Sequence, residues 1–193
     1  MADRFAELRR THGPEAIVGA TSGANFSRSV ILALMLRSIG SPNWMINQDL
    51  CGGCRAVSAK VSGLNIQRGE DIDNTRCALI VGRNSAVADR IEWAALKRAK
   101  KRGAKMIVID PKRTPAVDMA DLWLAPRVGT DAALALALMH VLVAEELDAQ
   151  DFVATRCHGC DAHTERIAEF PPSAGEELTG VDAGTIVEAA RFY

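Results

Sequence analysis

Residues 77–146 alternate between short, unbroken apolar runs and helical stretches. That alternation narrows the fold more than any other feature of the chain. Cys77–Val81, Lys105–Ile109 and Leu122–Ala125 are runs of the kind that fill strands buried on both faces. Between the first two, Ala86–Arg102 is rich in Ala, Lys and Arg and reads as one helix ended by Gly103. Ala116–Ala120 reads as a helical turn, and Ala132–Glu146 as a helix for which Asp131 is a good N-cap. Strand and helix in this order predict an α/β fold, three-layer α/β/α with a mostly parallel sheet.

The flanking regions are less regular. Residues 2–11 form a short amphipathic helix ended by His12-Gly13-Pro14, and Ala16–Ala20 reads as a strand. A helix follows from about Ser27 to Ile39, stopped by Gly40-Ser41-Pro42, and Asn43–Ile46 is a second short strand. Residues 47–55 are irregular, a small-residue helix spans Ala56–Ser62, and residues 63–76 are loop-like. The C-terminal part is helical: Ala149–Thr155, Asp161–Glu169 and Ala183–Tyr193, the last capped by Asp182, with Pro171-Pro172 and Thr179-Gly180 as punctuation.

Composition removes several function classes. Of 193 residues, 48% are hydrophobic, which is too many for a disordered chain. Lys and Arg number 23 against 24 Asp and Glu, a balance that disfavours a general nucleic-acid binder. The longest apolar runs, Val30–Leu36 and Ala132–Ala144, fall short of the ~20 residues that span a bilayer. The charged start, Met1–Arg10, lacks the apolar core of a signal peptide. Five cysteines in a chain of this size make a poor disulfide scaffold. The default compartment is therefore the cytoplasm, with the periplasm open if a leader lies outside this sequence.

Three loops follow the three central strands: Gly82–Ser85, Asp110–Arg113 and Arg127–Asp131. In a parallel sheet these exits open onto one crevice. Gly82 lets a ligand approach the backbone closely, and Asn84 can donate and accept hydrogen bonds. The helix starting near Ala86 would offer free amides to a phosphate. Asp110 stands where a carboxylate can accept from ribose hydroxyls. Lys112 and Arg113 could neutralise a pyrophosphate. Asp131 could accept paired hydrogen bonds from a guanine. Each piece also has an ordinary explanation, as a turn, a strand exit or a cap. No Gly-x-Gly-x-x-Gly fingerprint is present, since residues 82–87 read Gly-Arg-Asn-Ser-Ala-Val.

Cys51-x-x-Cys54 and Cys157-x-x-Cys160 resemble two halves of a zinc site, but 102 residues separate them, far beyond zinc-ribbon spacing. Cys51 differs from the rest. It lies in a glycine-flanked loop from which a thiolate could enter a cavity. Cys77 opens a buried strand and reads as core, and His140, on an apolar helix, reads as a boundary histidine. The three tryptophans are too scattered for a stacking platform. The basic residues Lys97, Arg98, Lys100, Lys101 and Arg102 read as a solvated helix end that complements the dipole.

Taken in order, five strings resemble one family. They are Leu50-Cys51-Gly52-Gly53-Cys54-Arg55, Ala78–Asn84, Arg102–Lys105 running on to Ile109–Thr114, Ala120–Leu124, and Gly129–Leu134. The tail agrees: Asp151-Phe152-Val153, Pro171-Pro172, and Thr179-Gly180-Val181 leading to Glu188–Tyr193. Together they resemble the catalytic subunit of the molybdopterin oxidoreductases, the dimethyl sulfoxide reductase family, over nearly the whole chain.

The resemblance implies a Rossmann-like fold. Residues 1–46 would be the first part of a discontinuous α/β domain, and 47–193 the α/β domain that binds molybdopterin dinucleotide. It implies molybdenum or tungsten held by two molybdopterin guanine dinucleotides, with Cys51 as the catalytic metal ligand. A thiolate suits so soft a centre. Gly82 and Asn84 match the family's Gly-x-Asn-Pro loop over the cofactor, with Ser85 in place of the proline. Asp110, Lys112 and Arg113 match the segment near the guanosine ribose and phosphates, and Gly129 and Asp131 the guanine-side loop. Formate-oxidising relatives usually carry His after the metal ligand. Gly52 stands there, which disfavours formate as substrate.

An iron–sulfur cluster would sit in an N-terminal part of the parent that precedes this sequence, and the expectation is an internal fragment, inactive alone. The parent would be a two-electron oxidoreductase acting on a small molecule, with an electron-transfer subunit or domain as partner. The alternative is a scaffold that keeps the fold without the cofactor, as in a subunit of respiratory complex I.

Overall fold

The computed structural model describes residues 1–22, 26–47, 52–63 and 71–193, with only the backbone of Phe26. Contacts divide the chain into two units, Met1–Gly69 and Glu70–Tyr193. In the first, helix α1 (Ala2–His12) ends at Gly13, and a 3-10 turn at Pro14–Ala16 leads to strand β1 (Gly19–Thr21). Helix α2 (Phe26–Ile39), strand β2 (Trp44–Ile46) and helix α3 (Cys54–Ser62) follow. The strand expected at Ala16–Ala20 starts later because Pro14, with its fixed φ, opens a helical turn instead. Strand β1 pairs in parallel with β2, Gly19 opposite Trp44. Glycine is needed at position 19, where a Cβ would stand 2.5 Å from the buried Leu36 side chain.

The second unit holds the central sheet. Strands β3 (Cys77–Val81), β4 (Lys105–Ile109) and β5 (Leu122–Leu124) are parallel and lie in the order β3-β4-β5. The register sets Cys77 against Lys105 and Val81 against Ile109, and Ile107 against Leu122. Side chains alternate across a strand, so β4 feeds two cores. Met106 and Val108 join Ile80, Leu96, Ala116 and Val117 on one face. Ile107 and Ile109 join Leu124, Leu134, Ala137, Val181, Ile186 and Ala189 on the other. Helix α5 (Arg90–Lys101) supplies Leu96 to the first core. Helices α6 (Asp131–Ala144) and α10 (Ala183–Phe192) supply the second. The unit is thus the expected three-layer α/β/α arrangement.

The helix expected over Ala86–Arg102 is broken. Helix α4 covers only Ser85–Ala88, and α5 starts at Arg90. Asp89 lies between them with extended backbone (φ −153°, ψ 100°) and accepts from the amides of Ile91 and Glu92 at 3.1 Å each. An aspartate that can bond amides ahead of it competes with helix continuation.

Helices α7 (Gln150–Arg156) and α8 (Cys160–Ala168) lie close to their expected places. Helix α9 (Pro172–Thr179) was hidden by the punctuation on either side of it: Pro172 occupies its first turn and Gly180, at φ 76°, its end. It packs tightly on α6, where a Cβ on Gly175 would stand 2.6 Å from that of Ala137 and 3.0 Å from Ile186 Cδ1.

The basic end of α5 is less free than the sequence implies. Arg98 makes a fork to Asp73 (3.0 and 2.8 Å), Arg102 reaches the Asp73 carbonyl, and Lys100 donates to Asp121 at 2.6 Å. Asp121 also accepts from the Met106 amide at 2.8 Å, so it ties the entry of β5 to β4 and α5. Burial alone would raise its carboxyl. The Lys100 and Met106 hydrogen bonds and the charges of Lys100 and Lys105 outweigh that and hold it below its ordinary 3.8. Cys77 is half-buried beside the second core, where burial, then the Asp121 charge, pushes its thiol up. Among the described residues no helix is long and apolar enough to cross a membrane.

Two outcomes follow from this packing. Gly175→Ala forces α6 and α9 apart and should cost about 1–3 kcal/mol, read as a lower denaturant midpoint at unchanged slope. A carboxylate whose folded pKa is depressed stabilises the fold above its unfolded pKa and loses that contribution as pH falls through the folded value. Acid titration of stability below about pH 4 should therefore be shallower in Asp121→Asn than in the parent chain.

Candidate functional site

The parallel ladder continues past the strand ends and seats the loops. The Gly82 amide donates to the Ile109 carbonyl at 2.9 Å, and the Asp110 amide to that of Leu124 at 3.1 Å. The first residue of each loop is therefore fixed to the neighbouring strand. All three loops leave the same edge of the sheet, as parallel strands require.

Gly82 turns at φ 55°, and a Cβ there would meet nothing within 4 Å, so the backbone faces open space. Asn84 follows with its carboxamide oxygen buried and without a hydrogen-bond partner among the described residues. Ser85 is fully buried and donates to Glu92 at 2.5 Å, while Arg83 makes a fork to the same carboxylate (3.1 and 2.6 Å). The hydrogen bond from Arg83 outweighs partial burial and, with that of Ser85, lowers the Glu92 pKa. The expected offer of helix amides to a phosphate is not found here. Asp89 occupies the N-terminus of α5, and α4 is a single turn.

In the second loop, Asp110 is almost fully buried, and one carboxylate oxygen accepts from the Lys112 amide at 2.8 Å. This Asx turn fixes the loop and leaves the carboxylate capacity for further donors. Trp123 Nε1 donates to the Asp110 carbonyl at 2.8 Å, so a side chain of β5 holds the same residue from behind. This role of Trp123 is not legible in the sequence, because its partner is a backbone atom of the loop after another strand. The two basic residues separate. Arg113 is ion-paired with Asp118 at 2.8 Å and lies 6.0 Å from the Trp123 ring centre, whereas Lys112 has no ion-pair partner among the described residues. Thr114, also buried, keeps a hydroxyl without a partner.

The third loop turns at Gly129 (φ 89°), again with open space where a Cβ would be. Arg127 anchors it, with its amide donating to the Thr179 carbonyl at 2.8 Å and its guanidinium to that of Glu177 at 2.7 Å. This anchor was illegible in the sequence, since its partners lie some fifty residues on. Asp131 does not cap α6. The N-cap is Thr130, whose hydroxyl turns back to the Arg127 carbonyl at 2.7 Å, and Asp131 is the first helical residue. Its exposed carboxylate has no partner among the described residues.

Cys51 lies outside the described residues. Among those described, Cys77, Cys157 and Cys160 are free thiols, and no group of three metal-ligating side chains forms. His140 is satisfied, with Nδ1 3.2 Å from the Ile167 carbonyl.

Among the described residues, these loops thus carry a buried carboxamide oxygen and a buried hydroxyl without hydrogen-bond partners, two carboxylates with spare acceptor capacity and one ammonium without an ion-pair partner. Unsatisfied buried polar atoms are rare in native folds and call for an explanation. A ligand with several hydroxyl or amide donors and a phosphate supplies one.

Known proteins resemble this chain over its whole length. The signature of the family described as "Molybdopterin oxidoreductase" matches residues 1–180. The chain is 35% identical to acetylene hydratase of Syntrophotalea acetylenica over its whole length, covering 27% of that protein. It is 30% identical to formate dehydrogenase H of Escherichia coli (all of this chain, 28% of that one). It is 32% identical to the thiosulfate reductase subunit PhsA of Salmonella typhimurium (99% of this chain, 25% of that one). The solved structure of acetylene hydratase from Pelobacter acetylenicus superposes with a TM-score of 0.71 at 34% identity, over 98% of this chain and 26% of that one. The chain spans about a quarter of the length of these relatives. It belongs to the molybdopterin oxidoreductase family.

Proposed function

We propose that this chain holds the nucleotide end of one molybdopterin guanine dinucleotide in a larger two-electron oxidoreductase, and that Cys51 ligates its molybdenum or tungsten. The observation that carries the first part is the set of unsatisfied polar atoms at the carboxyl edge of β3, β4 and β5. Asp110 would accept from the ribose hydroxyls and Asp131 from the paired N–H groups of guanine. Lys112 would face the pyrophosphate, because Arg113 is engaged by Asp118. Asn84 and Thr114 would gain the partners they lack. Bound there, the cofactor and its metal supply the electron transfer, and the protein supplies binding and orientation.

The proposed site for Cys51 rests on the family motif alone. Gly52 after it speaks against formate as substrate. The relatives' names span a hydratase, a dehydrogenase and a reductase, so the substrate is set outside the loops described above. With the relatives about four times as long, the reaction and any iron–sulfur centre or electron-transfer partner belong to the whole protein, and the chain alone would be inactive.

The test is metal analysis and guanine release on the natural full-length protein from cells supplied with molybdate and tungstate. One metal and two guanine nucleotides per chain, with the metal's spectroscopic signature altered in Cys51→Ala, support the proposal. A folded protein with neither metal nor guanine leaves the cofactor-free scaffold. On the same material, Asp131→Ala should lower retained guanine nucleotide, each lost charge-assisted hydrogen bond costing about 1.5–3 kcal/mol, with little change in melting temperature since Asp131 caps nothing.

A further inference from the structure

Aspartate at the N-cap of α5 and glutamate three residues on form the pattern of a capping box. In that motif the glutamate turns back to the amide of the capping residue. Here the Asp89 amide already donates to the Ser85 carbonyl at 3.0 Å. Glu92 is left free to turn the other way. Its two oxygens take the Arg83 guanidinium in a fork and the buried Ser85 hydroxyl, so one carboxylate grips both residues that flank Asn84. Asn84 itself has φ −98° and ψ 76°, and its own side chain makes no cap bond. Its backbone carbonyl accepts from the amides of Val87 and Ala88 (3.1 and 2.9 Å), but its carboxamide oxygen has no partner among the described residues.

We propose that Glu92 is a positioning residue for the cofactor loop: through Arg83 and Ser85 it clamps Gly82–Ser85 and so holds the Asn84 carboxamide in place for its ligand. The role rests on the nucleotide-binding reading given above. The clamp replaces a covalent restraint. Position 85 opens α4, where proline is well accommodated because its φ is already helical and no amide is required. A serine at this position leaves the loop loose unless something else ties it down, and Glu92 does so from the next helix. Among the described residues, the side-chain bonds of Glu92 go to Arg83 and Ser85 and not to Asn84, so it acts through its neighbours.

Two readouts test this on the 193-residue chain, using Glu92→Ala, Glu92→Gln and the double variant Ser85→Pro with Glu92→Ala. The first needs no ligand. Hydrogen exchange of residues 82–88 should speed up by about tenfold or more in Glu92→Ala, less in Glu92→Gln, and return toward the parent rate in the double variant. The second is the affinity for guanosine diphosphate, by calorimetry. It should fall by about tenfold in Glu92→Ala and recover with Ser85→Pro, while the melting temperature of the double variant stays that of Glu92→Ala.

Unchanged exchange in Glu92→Ala overturns the clamp, whatever the nucleotide does. Faster exchange with unchanged affinity overturns the positioning role and leaves nucleotide binding intact. Loss of affinity that proline does not restore makes Glu92 merely structural. No binding of guanosine diphosphate by the parent chain at about 5 mM overturns the nucleotide reading and the positioning role together, and the exchange data then show the clamp as a feature of the fold alone.

Discussion

Strand β4 has four consecutive buried residues, Met106 to Ile109, and a strand buried on both faces must have a layer on each side. Everything else in the second unit follows from meeting that demand. The even-numbered side chains meet α5 and the odd-numbered ones meet α6 and α10. Parallel pairing on both edges of β4 then leaves the chain no choice about where its loops emerge. The amino edge is closed by Asp121, which draws Lys100, Met106 and Lys105 together. The carboxyl edge is where polar atoms remain to be satisfied.

The loops at the open edge are held by more than their own residues. Gly82 and Asp110 are tied by ladder bonds to the neighbouring strand, and Asp110 again by Trp123. Arg127 moors the third loop to the carbonyls at the end of α9, where a cation also complements the helix dipole. Glu92 holds the flanks of Asn84 from α5. Under the proposed function this is the division of labour that a redox cofactor needs, since the cofactor carries the electrons and the protein holds it in one pose.

The strands and the three loops could be read from the sequence because their signals are local. A buried run is visible in five residues, and Gly82 and Gly129 announce turns that need positive φ. The misses have one cause. Asp89 breaks a stretch of good helix formers because its carboxylate finds two amides ahead of it. Asp131 yields the cap to Thr130 although either residue type can cap. Arg113 and Lys112 look equivalent in the sequence, yet only Arg113 reaches Asp118. Helix α9 lay between two breakers that turn out to be its start and its stop. In each case the local sequence allows more than one outcome, and composition does not rank them.

The sequence by itself determined the alternation of strand and helix, the residues of the two cores and the family motifs with Cys51 at their head. Those properties depend on the period of apolar residues and on backbone conformations that a few residue types alone adopt. Tertiary structure decided which polar groups are spent on the fold and which are left for a ligand. Glu92 is spent on Arg83 and Ser85, and Arg127 on carbonyls fifty residues away, while Asn84, Lys112, Thr114 and Asp131 are left over. A charged or hydrogen-bonding side chain takes the partner that folding brings within about 3 Å, and that distance exists only once the layers have packed.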